Sequence, residues 1–182
     1  AEYVSEKGVQ AAVSEALNVK FTAGKYIETF DNQYFYLNRE ELAAKNLDAD
    51  EVLEVARETL LARPDVAFTV SRDDLSGYSA RDPIYALVQR GFNDARSGDL
   101  YVEYKPFYEP GFGDKPTTGT THGSSWTYDT HVPVILWGAG VPRTGSVARG
   151  VSPTDIVPTI CAILGIPMPA TCTGTALSEV VK

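Results

Sequence analysis

The twenty residues Gly119 to Gly138 read GTTHGSSWTYDTHVPVILWG, and they hold both histidines of the chain, His122 and His131. The first half is loop chemistry, with Gly and Thr crowded around His122. The second half, HVPVILWG, is a short apolar run of the kind that forms a strand buried in a sheet. A loop histidine held by a nearby buried strand is a common way for α/β proteins to place a ligand at a sheet end. A neutral imidazole there suits zinc. The plainer reading is a solvent-facing loop residue. Zinc needs three or four donors, and the chain has no second histidine at ligand spacing, no HExxH and no CxxC. Asp129 and His131 divide in the same way: a carboxylate orienting an imagined metal-bound ring, or a strand-entry turn in which Asp129 and Thr130 bond to backbone N–H groups.

Working outward, the segments alternate between helical and extended patterns. Val9, Ala12, Val13, Ala16 and Leu17 fall on one helical face, with Gly24 as the stop. KYIETFDNQYFYLN reads as a hairpin turning at Asp31-Asn32. Residues 38–64 predict helix in two pieces, with Asp48 and Glu51 as a capping box, Val52, Leu53, Ala56 and Leu60 as the buried face, and Pro64 at the end. VAFTVS, Val66 to Ser71, is a strand. Asp82 and Pro83 start another helix with Ile84, Leu87, Val88 and Phe92 as its stripe. DLYVEYKPFY predicts a further strand, and EPGFGDKPTTGTTHGSS a long aperiodic loop. A last helix begins near Asp155, carries Pro158 in its first turn, buries Ile156, Ile160, Ile163 and Leu164, and closes at Gly165. The fold class is therefore α/β with α+β character: a mixed sheet, flanking helices and a β-hairpin.

Composition removes several function classes. The chain has 182 residues, 43% hydrophobic and 22% charged, with a formal net charge of -8. That is ordinary globular composition, and without a Lys/Arg block nucleic-acid binding is disfavoured. No apolar run approaches the ~18 residues of a membrane span, and AEYVSEKG has no signal-peptide pattern. Cys161 and Cys172 form a disulfide in an oxidising compartment or stand as two inert thiols. Thr117, Thr118, Thr120 and Thr121 offer hydroxyls but no visible base or metal set beside them. The aromatics Tyr34, Phe35 and Tyr36 stack on a ligand or, more plainly, form the two faces of a hairpin.

GTTHGSSWTYDTHVPVILWGAGV resembles the C-terminal metal-site motif of the alkaline phosphatase superfamily, in particular bacterial periplasmic phosphatases of the phosphodiesterase/nucleotide pyrophosphatase type. Their pattern is GTxHGSPxxYDTHVPLxxxGxG, and Ser125 stands here where proline is usual. KGVQAAVSEALNVKFTAGKYIETFDNQYFYLNRE, RSGDLYVEYKPFY and VSPTDIVPTICAILGIPMPATCTGTAL resemble other segments of the same family, so the likeness spans essentially the whole chain.

The resemblance implies two zinc ions flanking a Thr or Ser nucleophile, and it places one ligand here, His122, with Thr121, Asp129 and His131 as residues that would orient it. The family's other ligands and its nucleophile have no match in this sequence; Asp-x-x-x-His, for example, would need Asp at 118 or 127, and both are Thr. The chain is thus expected to be a C-terminal fragment of a periplasmic or secreted phosphate-ester hydrolase. It would be inactive without its N-terminal half. Its parts would be an α+β layer over 1–108, a metal-ligand loop and core strand over 109–138, and a helical segment over 139–182. HVPVILWG would be a sheet strand short of neighbours, with self-association through its edge as one outcome. The alternatives are a complete, non-catalytic binding domain using the aromatic hairpin, or a phosphodiesterase or sulfatase of the same superfamily.

Overall fold

Val9, Val13 and Leu17 recur at helical spacing and are fully buried along α1, Glu6–Phe21. The structure, a computed structural model, describes residues 2–77, 82–111, 113, 121–143 and 145–181. It divides into two compact units, Ala1–Val132 and Pro133–Lys182.

In the first unit, a short strand β1, Glu2–Ser5, leads into α1, whose first turn is capped by the Ser5 hydroxyl. The helix stops at Phe21, three residues before Gly24. The hairpin follows as β2, Ile27–Asp31, and β3, Tyr34–Leu37. It turns on Asn32 and Gln33, both at positive φ, as a two-residue hairpin loop demands. Gln33 lacks the freedom of glycine; its side chain holds it there by bonding Tyr101 and the carbonyl of Val102. The two helical pieces are α2, Arg39–Ala44, and α3, Ala49–Leu61, the latter capped by Asp48 through the amide of Asp50. Val52, Ala56 and Leu60 are buried and Leu53 is half-buried.

Strand β4, Val66–Ser71, has the bounds its sequence predicts. Helix α4, Arg72–Gly77, was not expected, because six residues are too few to show a period. Helix α5, Pro83–Gly91, starts on the Asp82 cap, but only Val88 of its stripe is buried. Then come β5, Leu100–Tyr104, and β6, Tyr108–Gly111, which pairs in parallel with β1.

The main sheet is antiparallel, in the order β2-β3-β5-β4. Strand β5 lies inside it, and all five of its residues are buried. Leu100, Val102 and Tyr104 join the core under α1 and α3, while Tyr101 belongs to a second cluster with Val70, Leu75 and Val88. A bulge between Val66 and Phe68 switches the faces of β4, so that Val66 serves the first cluster and Val70 the second. Of the hairpin aromatics, Phe30 and Phe35 are core and stack at 4.2 Å between centroids, while Tyr34 and Tyr36 are half-buried.

The second unit begins at Pro133, two residues into HVPVILWG, and that run makes no strand. The described residues 131–137 pair with nothing, and Ile135 and Trp137 are 82% and 95% exposed. A strand needs a neighbour for its N–H and C=O groups, and the described residues offer none. The last helix, α7, Ile156–Leu164, follows a 3-10 turn over Pro153–Asp155 and closes at Gly165 in a left-handed conformation. Its buried side is not the expected one. Pro158, Thr159 and Cys161 are covered, while Ile160 and Leu164 are exposed. The reason is local: the C-terminal residues Thr175 and Leu177 bond to Asp155 and Thr159 and so cover that side. Both cysteines are free thiols. No described helix is long and apolar enough to cross a membrane.

Candidate functional site

Strand alternation puts Glu103 two residues along from Tyr101 and on the same face of β5. It is 1% exposed. Leaving a carboxylate there without donors would be costly, and three donors converge on its Oε2: the hydroxyl of Tyr101 at 2.9 Å, the amide of Ser125 at 3.2 Å and the hydroxyl of Ser125. Trp126 adds a bond from its indole N–H to the carbonyl of Tyr104, 2.8 Å. Two adjacent residues of the histidine loop are thereby fastened to the central strand. Past them, Ser124 donates its amide (3.0 Å) and hydroxyl (2.6 Å) to Asp129 on the short helix α6, Thr127–Thr130.

His122 stands just ahead of these fastenings and is exposed. Gly123 follows it at φ +113°, a backbone conformation that only glycine adopts without strain. The ring is thus carried on a sharp turn beside a fixed anchor. A second strained point lies nearby. Phe107, third residue of a turn closed by Tyr108 N to Lys105 O at 3.2 Å, has φ +68° where glycine is usual. Tyr128 of α6 holds it, stacking at 5.2 Å between centroids and accepting the Phe107 amide.

Burial pushes the Glu103 carboxyl above its ordinary value; the Ser125 and Tyr101 bonds pull it back, and the charge of Asp129 adds to the rise. Glu6 is raised too, by burial and then by Asp31. Burial also raises Tyr101 well out of the physiological range. A raised folded-state pKa means stability that is full below the unfolded value and lost as pH climbs through the folded one. Urea midpoints are therefore expected to fall as pH rises from the ordinary carboxyl value of 4.5. Glu103→Gln, neutral throughout, should remove part of that slope and leave the part due to Glu6. An unchanged slope in the variant would mean that Glu103 does not sit buried as described.

No family model matches the sequence. The chain is 32% identical over 180 residues to a protein of Myroides odoratus named calcium-transporting ATPase, covering 99% of this chain and 32% of that protein. It is also 32% identical over 165 residues to the alkaline phosphatase PafA of Elizabethkingia meningoseptica, covering 91% of this chain and 30% of the relative. The crystal structure of wild-type PafA superposes on the whole chain with a TM-score of 0.85 at 29% identity, over 34% of that structure. The chain belongs to the alkaline phosphatase superfamily. It spans about a third of the length of the relatives it matches.

A superfamily segment gives the sequence-named residues their places. His122 and Thr121 are exposed on the loop. Asp129 accepts the amide and hydroxyl of Ser124, while the Thr130 hydroxyl donates to the carbonyl of Trp126 instead of accepting a backbone N–H. His131 follows α6, its amide closing the helix on Thr127. Thr117, Thr118 and Thr120 lie outside the described residues. What sequence reading missed is Glu103 and its partners Ser125, Tyr101 and Gln33. A glutamate in the run LYVEY was the available signal, a charge placed where a central strand should be apolar.

Proposed function

We propose that this chain contributes His122 as one zinc ligand to a phosphate-ester hydrolase of the alkaline phosphatase type, periplasmic or secreted, whose remaining ligands and nucleophile come from outside the described residues. What supports the reading is an exposed imidazole on an anchored loop, in a chain that superposes over its full length on an alkaline phosphatase. The described residues do not fit zinc by themselves. They contain no group of three or more His, Cys, Asp or Glu that could hold an ion, and one imidazole neither binds zinc firmly nor activates its water. The domain reading follows: residues 1–108 as a supporting layer, 109–138 as the ligand loop and a strand of a larger sheet, 139–182 as a helical segment. The exposed Ile135 and Trp137 are accounted for as strand residues whose neighbours lie in the rest of that sheet.

The test is direct. The purified chain, with zinc added, is expected to show no hydrolysis of an aryl phosphate above background. Turnover by the pure chain that disappears in His122→Ala would overturn the reading.

A further inference from the structure

We propose that Glu103 is a positioning residue for His122, its buried carboxylate holding the loop that presents the imidazole; this rests on the reading of His122 as a ligand. The location is otherwise hard to explain. A carboxylate at 1% exposure in the middle of an inner strand is no aid to the sheet, and an apolar side chain of similar size would serve packing as well or better. Glu103 instead collects donors. Two of its three come from one residue of the histidine loop, and the third, Tyr101, is steadied by Gln33 from the hairpin. The chain of contacts thus runs from the β2–β3 turn across β5 to the loop.

Ser125 is matched to this task. Proline, usual at this point of the motif, has neither the N–H nor the hydroxyl that Ser125 donates. With proline there, Glu103 would keep Tyr101 alone. Glu103 and Ser125 are therefore a coupled pair in this chain. The tether is short: Ser125 lies three positions after His122, with only Gly123 and Ser124 between them, a span of at most ~11 Å when extended. The bonds of Ser124 and Trp126 narrow the freedom of the loop further.

The experiment uses the whole 182-residue chain without metal and reads two things: amide hydrogen exchange along the loop and the NMR signals of the His122 ring. In Glu103→Leu, the amides of Ser124 and Ser125, which are hydrogen-bonded in the anchored loop, are expected to exchange about tenfold faster or more, as local opening becomes easier. The His122 ring signals should move toward those of a free histidine, while the amides of Leu100 and Val102 stay within about twofold. Glu103→Gln, which still accepts through its amide oxygen, should recover most of the difference. Loop exchange and ring signals unchanged in folded Glu103→Leu would overturn the proposal. So would an equal rise across β5 and loop, the mark of a group that only stabilises the fold. If Glu103→Leu does not fold, Ser125→Ala decides by the same two readouts: a faster loop with a shifted ring supports the pairing, and no change overturns it. None of these signals depends on zinc or turnover, so this proposal and the hydrolase reading can fail separately.

Discussion

Carried by a polypeptide that supplies the rest of the phosphatase fold, His122→Ala is expected to lower aryl-phosphate hydrolysis by about 10²-fold or more, with a matching loss of bound zinc. Groups that merely orient a metal ligand already cost about 10- to 100-fold when removed. A ligand, the role proposed for His122, should cost at least that. The loop would survive the change, because its fastenings are Glu103, Tyr104 and Asp129 and none involves the His122 ring. Zinc content and kcat measured on the same preparations separate loss of metal from loss of folding. Equal turnover and equal zinc in wild type and His122→Ala would remove this residue from the site. Running a phosphate monoester, a phosphate diester and a sulfate ester side by side assigns the ester class in the same experiment.

The limits of the sequence fall where distant partners decide. Helix α1 and the hairpin were legible because their signals are local: period for Val9, Val13 and Leu17, and turn chemistry between two β-prone runs. Asp82 with Pro83 marked α5 for the same reason. HVPVILWG carries an equally clear local signal but forms no strand here, since pairing needs a second segment that the pattern cannot supply. On α7 the period was real and the direction wrong. Ile160 and Leu164 are the more apolar side, but the residues bonded to the helix from Thr175 onward cover Thr159 and Cys161 instead. The site shows the same division. His122 is named by a motif, whereas Glu103 and Ser125 are 22 residues apart and become partners only when β5 and the loop meet.

That C-terminal cover leaves no room for a side chain at Gly174. A Cβ at Gly174 would overlap the carbonyl carbon and oxygen of Thr154 and come within 2.8 Å of the amide of Asp155. All three are backbone atoms, so no side-chain rotation can relieve the clash. In Gly174→Ala the segment must lift. It then gives up the bond from Thr175 N to Asp155, 2.9 Å, and the bond from Leu177 N to the fully buried hydroxyl of Thr159, 2.9 Å, and it uncovers Leu177. An unsatisfied buried donor or acceptor costs about 1–3 kcal/mol, and exposing a leucine about 1.5–3 kcal/mol. The expected loss is therefore about 3–5 kcal/mol. A unit this small has little stability in reserve, so residues 150–180 should lose hydrogen-exchange protection while α1 and β5 keep theirs. Gly150→Ala is the control, since a Cβ there meets nothing within 4 Å, and it should shift stability by less than about 0.5 kcal/mol. Full protection over 150–180 in Gly174→Ala would mean that Thr175 and Leu177 are not seated on α7, and the exposure of Ile160 and Leu164 would then need another cause.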